Sequence, residues 1–225
     1  MAHRKVKIYP RFERIWHWAQ VALITTLLIT GMGLNGLHGL LPFKLAVMVH
    51  IIAALVLLVL WAFATFWLFT TGTWRQFIPR FEGLFKVARF YAFGIFKGEE
   101  HPHTKVLWRK HNPLQVFAYF GLKMFIFPAI WSTGILYLTY NFWESAPNSG
   151  FWLEIIANLH LLAAYVILAF IIVHLYLLTV GHGFRAHVKP MISGFDEVDL
   201  TDEQEAYLTL NEPWRLVDEP GKRDG

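Results

Sequence analysis

Cysteine is absent from the 225 residues. Its absence excludes disulfides, cysteine-ligated iron–sulfur clusters, zinc–thiolate sites and the thioether attachment of c-type haem. Any cofactor is therefore held by other side chains. Charge is the second scarcity: 16% of residues are charged against 56% hydrophobic, and mean hydropathy is +0.41. A soluble domain of this length carries more charge. The start, MAHRKVKIYPRFER, is charged and is not followed by a cleavage pattern, so no signal peptide is expected and the first apolar run should remain in the protein. Acidic side chains are almost missing from the apolar runs, and no nucleic-acid partner is expected.

What is present is four long apolar runs, at about 15–34, 45–70, 114–140 and 151–180. Each is long enough to cross roughly 30 Å of hydrocarbon with some tilt. The expected fold class is an all-α integral membrane protein with a four-transmembrane-helix bundle. Lys and Arg set the orientation. Arg4, Lys5, Lys7, Arg11 and Arg14 precede the first run. Arg75, Arg80, Lys86, Arg89, Lys97, Lys105, Arg109 and Lys110 lie between the second and third, and Arg185 and Lys189 follow the fourth. The other two loops contribute only Lys44. Both termini are therefore expected in the cytoplasm. Trp16, Trp18, Trp74, Trp108, Trp143 and Trp152 suit the two interfaces.

In the long inner loop, Phe81, Leu84, Phe85, Ala88, Ala92 and Ile95 recur at helical spacing, with Lys86 and Arg89 off that stripe. This predicts an amphipathic helix resting on the inner leaflet. The expected division is a four-helix membrane domain at 1–195 and a cytoplasmic tail at 196–225, read as an extended arm.

Of the eleven histidines, several lie within the apolar runs. His160 and His174 are fourteen residues apart, close to four helical turns, so they share a face but lie roughly 21 Å apart along the axis. One metal cannot bind both, so they serve two sites at two depths. The first run starts inside and the second outside, which puts His17 near the inner surface and His50 near the outer. The fourth run starts outside, so His160 is outer and His174 inner. Depth pairs His17 with His174, and His50 with His160. Two bis-histidine sites stacked across a bilayer suit two haem irons, and without cysteine the haems are b-type. Fourteen residues after His17 lies Gly31, and fourteen after His50 lies Ala64. Both are small and placed where a macrocycle could approach the backbone. Gly33, Gly121 and Gly134 add to this set.

The residues RIWHWAQ in the first run, His50 early in the second, the His160–His174 pair and HNPLQ before the third together resemble the bacterial four-helix cytochrome b561 group. That group includes the membrane cytochrome b subunits of formate dehydrogenase, nickel–iron hydrogenase and thiosulfate reductase. HVKPMISGFDEVD looks like the segment after the last helix in some of these subunits. The resemblance covers roughly residues 10–200. It implies the same ligand pairing, and a quinone site near the inner haem for menaquinone or ubiquinone. In formate-dehydrogenase-like members an Asn before the third span and the inner His of the fourth lie at that site. Asn112 and His174 occupy those positions here, although Pro113 departs from those members.

Further polar groups lie near the inner side. Lys123 inside the third run pairs with a propionate, lies near quinone, or snorkels to the interface. Arg14 is a propionate partner or an interfacial cation. Gln115 joins Asn112 as a candidate quinone contact. His182 and His187 could relay protons or be solvated, and His101, His103 and His111 read as loop residues. Glu154 and Asn158 lie near His160 as supporting or interfacial groups.

No catalytic residue of the chain's own is expected. The leading expectation is a membrane-anchoring subunit of the bacterial inner membrane. It would exchange electrons between quinone and an extracytoplasmic iron–sulfur or multihaem cytochrome subunit. The short outer loops leave a flat face for such a partner. A stand-alone oxidoreductase of this fold, acting between superoxide and quinone or as a ferric reductase, is the second expectation. A haem-free, histidine-lined metal transporter is the third, and it requires acidic partners that the spans scarcely contain.

Overall fold

A computed structural model describes residues 2–99, 111–179 and 184–217. His101, His103, Lys105, Trp108, Arg109, Lys110 and His182, and the tail beyond 217, lie outside the described residues. The elements, in chain order, are β1 (Ala2–Lys7), α1 (Arg11–Leu34), α2 (Phe43–Thr70), α3 (Leu84–Ala92), α4 (Pro113–Gly121), α5 (Phe127–Leu138), α6 (Ser149–Thr179), α7 (Phe184–Ser193), β2 (Phe195–Leu200) and α8 (Asp202–Asn211).

Four helical segments are long and apolar enough to span a membrane: Arg11–Leu34, Phe43–Thr70, Pro113–Leu138 and Ser149–Thr179. The protein is a four-helix integral membrane protein. The helices overrun the apolar runs by a few residues at several ends, because helix is the cheapest way to satisfy backbone polar groups near lipid. Large apolar side chains such as Ile52, Val56, Val59, Phe63 and Phe66 are exposed along α2, as lipid contact requires.

Local chemistry sets the ends. α1 closes with Gly36 in the left-handed region (φ 80°). There Gly36 N–H reaches Gly33 O and Leu37 N–H reaches Met32 O, both at 3.0 Å, the paired bonds of a glycine-terminated helix. α2 begins behind Pro42. The third span is not uniform. Between α4 and α5, Leu122–Ile126 forms a π-helical turn in which Phe127 N–H bonds Leu122 O, five residues back. Pro128 follows immediately; it lacks an N–H, and the helix accommodates the missing bond by widening.

The described chain forms two compact units. One comprises 19–78 and 117–177, the bulk of the four spans. The other comprises the amino-terminal stretch to Trp18, the 79–116 loop and the segment from 178 onward. In the second unit α3 forms within the stretch where an amphipathic helix is expected. It buries Val87 and Phe90 and leaves Phe85 exposed, as is Phe81 just before it.

The segment after α7 is not an extended arm. β2, which crosses the expected boundary at 195, pairs antiparallel with β1 in a register from Ala2↔Leu200 to Lys7↔Phe195. Val6, Ile8, Val198, Leu200 and Leu208 form a small buried core. α8 starts with a capping box between Thr201 and Gln204, and Glu205 on it pairs with Arg4 at 2.8 Å. The low apolar content of the tail hides this core, since its other half is supplied by the first eight residues.

Candidate haem-binding site

His50 lies near the start of α2 and His160 in the first half of α6. Their rings are brought together within the four-span unit, with centroids 6.3 Å apart and planes inclined at 65°. An imidazole nitrogen binds a transition metal at about 2 Å, which places each ring centroid about 3.1 Å from the ion and two opposed rings about 6.2 Å apart. The observed spacing leaves room for one iron between the two rings. Among the described residues no cluster of three His, Asp or Glu groups could hold a metal. A two-nitrogen site without carboxylates suits an iron whose other ligands come from a macrocycle.

Each ring is seated in the same way. Thr30 Oγ1 lies 2.8 Å from His50 Nδ1, and Thr133 Oγ1 lies 3.1 Å from His160 Nδ1. The residue after each threonine is glycine. A Cβ on Gly31 would stand 3.3 Å from His50 Cε1, and one on Gly134 would stand 3.2 Å from His160 Cε1. The room at Gly31, expected for a macrocycle, is therefore taken by the imidazole. Gly33 serves His38 likewise, since a Cβ there would stand only 2.9 Å from that ring, and His38 Nε2 bonds Ile29 O. Gly121 faces open space.

His174 lies on α6 fourteen residues beyond His160 and stacks on Phe170 at 5.9 Å and 15°. Phe170 in turn meets Tyr119 edge-on. His17 lies on α1 beside Trp18, whose indole N–H donates to Met191 O at 3.0 Å. His17 belongs to the terminal unit and His174 to the four-span unit, so their pairing rests on the depth argument from span direction.

Arg14 donates from Nη1 to Ile192 O, while its Nε is buried with no acceptor among the described residues. Lys123 lies in the π-helical turn, with Nζ 3.4 Å from the centre of the Phe77 ring, a cation–π contact. Asn112 is buried. Its Oδ1 accepts Gln115 N–H at 2.8 Å, and Gln115 Oε1 accepts Asn112 N–H at 3.0 Å. This reciprocal pair is a capping box at the start of α4. Asn112 Nδ2 donates to the Tyr91 hydroxyl at 3.2 Å. Burial raises the Tyr91 pKa above its usual range, offset in part by the Asn112 bond. Tyr91 therefore stays protonated at neutral pH.

Three of these residues escape a reading of the sequence: Thr30, Thr133 and Tyr91. The signal for the threonines is the dipeptide Thr-Gly, which recurs in the first and third spans as LITGMG and WSTGIL.

A four-span membrane bundle with an opposed histidine pair is the architecture of a membrane cytochrome b. The family model of prokaryotic cytochrome b561 matches residues 8–194, and the chain belongs to that family. It is thus a membrane cytochrome b of electron transfer, and its family binds haem b. The Escherichia coli (strain K12) protein named "Putative cytochrome YdhU" is 32% identical over 198 residues, covering 85% of this chain and 74% of that protein. No solved structure matches the chain significantly.

Proposed function

We propose that the chain is the dihaem membrane subunit that carries electrons between the quinone pool and a redox partner on the extracytoplasmic face of the bacterial inner membrane. The observation that carries this reading is the His50–His160 spacing of 6.3 Å, which would let one iron take a nitrogen from each ring. The alternating span direction in the sequence assigns His17 and His174 to the second depth, toward the cytoplasm. Two b haems so held supply one-electron transfer across the thickness of the membrane.

The chain's own residues do the rest. The histidines fix the two depths. Arg14, one turn before His17, has a buried Nε that suits a propionate of the inner haem. Lys123 is a second cation for a propionate or a quinone oxygen. Asn112, Gln115 and Tyr91 form a hydrogen-bonded set at the entry of the third span. An amide nitrogen carries two hydrogens, so Asn112 Nδ2 has one beyond its Tyr91 bond to offer a quinone carbonyl. The excess of Lys and Arg in these loops favours a cytoplasmic position for this end, where His187 and water can exchange protons with quinone. The partner is an iron–sulfur or multihaem cytochrome subunit that meets the His50–His160 side, where the connecting loops are short.

Haem–quinone electron-transfer kinetics in proteoliposomes test the reading. Asn112→Leu slows quinone-linked reduction or oxidation and leaves both haem spectra intact; a lost hydrogen bond of this kind weakens binding by about 0.5–3 kcal/mol. Unaltered kinetics in both Asn112→Leu and Lys123→Met, or a quinone analogue bound on the outer face, would overturn the inner site.

A further inference from the structure

We propose that Thr30 and Thr133 are positioning residues that fix the tautomer of the two ligands of the His50–His160 site and hold its haem at a lower potential than unsupported ligands would. The inference deepens the dihaem reading above and rests on it. A threonine hydroxyl has one hydrogen to give. Thr30 Oγ1 lies 2.8 Å from Thr26 O and 3.2 Å from Leu27 O, and Thr133 Oγ1 lies 2.6 Å from Ala129 O and 3.2 Å from Ile130 O. A carbonyl can only accept, so the hydroxyl hydrogen is committed to the helix backbone. The contact to each imidazole must then run the other way, with Nδ1–H donating to Oγ1. That assigns the proton to Nδ1 in both rings and leaves both Nε2 lone pairs for iron.

The two threonines are equivalent. Each is followed by the glycine that admits the ring, and each sits on the span preceding the histidine's own span. Thr30 is 2% exposed and Thr133 6% exposed, so neither bond competes with water. An acceptor on the distal N–H raises the basicity of a ligating imidazole. A more basic ligand favours ferric over ferrous iron and lowers the potential. Two such acceptors act on one iron here, whereas the ring of His174 stacks on the face of Phe170.

The test is a redox titration of the purified dihaem protein in which each position is changed to Ser, Cys and Val. Serine keeps the acceptor, the thiol is a weak acceptor, and valine keeps the shape without it. The expected order of the potential at the His50–His160 haem is wild type equal to Ser, then Cys, then Val highest. Val at either position shifts the ferric–ferrous balance about tenfold, about 59 mV for one electron. The other haem does not move. A role in packing alone predicts the reverse, with Val silent and Ser disturbed, and that result overturns the proposal. So does an unshifted potential in all variants. Where a Val variant does not assemble, the Cys-against-Ser difference decides on the same terms. Wild-type protein lacking a haem at this site would instead refute the dihaem reading on which the proposal stands.

Discussion

Two regions of the same helix treat their histidines differently. In the first half of α6 and near the start of α2, His160 and His50 are tied through Nδ1 to buried threonine hydroxyls and seated against glycines. Further along α6, His174 lies flat against Phe170. A hydrogen bond to Nδ1 fixes which nitrogen carries the proton, while a stack fixes only the ring plane. On the dihaem reading proposed above, two sites with the same ligands need not have the same potential.

Removal of a ligand should have the most drastic result. His50→Ala and His160→Ala should each abolish the haem of that pair and retain the other, whereas His17→Ala and His174→Ala should do the reverse. Haem content and low-temperature spectra of the purified variants check this. Loss of the same haem from His160→Ala and His174→Ala would overturn the pairing.

A smaller perturbation sharpens it. Gly31→Leu and Gly134→Leu put a branched side chain where the imidazole stands, with overpacking of about 1–3 kcal/mol. The expected result is a displaced ligand, seen as a changed spectrum and weaker haem retention at the His50–His160 site alone. An unchanged spectrum in both variants would show that neither ring depends on its glycine.

Smaller again is Asn112→Ala, which removes the capping box of α4 and the Tyr91 bond. A lost N-cap costs about 1 kcal/mol. Hydrogen exchange at the start of α4 should accelerate, with haem spectra untouched. The smallest effect concerns the terminal sheet, where His3 bonds Asp199 at 2.8 Å and faces Glu197 at 3.6 Å. The Asp199 hydrogen bond is the main cause of its raised pKa. A raised folded-state value means stability that is complete below about pH 6.5 and is lost as pH rises through the raised value. The β1–β2 amides should therefore lose protection, relative to their intrinsic exchange rates, above that value, and His3→Ala should remove that loss.

Most of the bundle can be read from the sequence because lipid imposes a simple rule: long uncharged runs must be helices. The His160–His174 spacing is equally legible, since both residues lie on one helix whose geometry is fixed. What lies across helices is not. That Thr30 faces His50 depends on how α1 and α2 pack, which periodicity does not specify. Pairing of β1 with β2 joins residues nearly 200 positions apart, and neither strand has an apolar pattern that stands out alone. The Asn112–Gln115 capping box is written plainly as N-P-L-Q, yet a functional reading of Asn112 draws attention away from its local bonds. The π-helical turn follows from Pro128, although the sequence does not say whether the helix kinks or widens.

The proposed function stands or falls with two haem sites, each held by two histidines. A pyridine haemochrome assay against protein concentration, run on wild type and His50→Ala side by side, tests it most directly. Two b haems per chain falling to one is the predicted result; one or none in the wild type, or two remaining in His50→Ala, would contradict it.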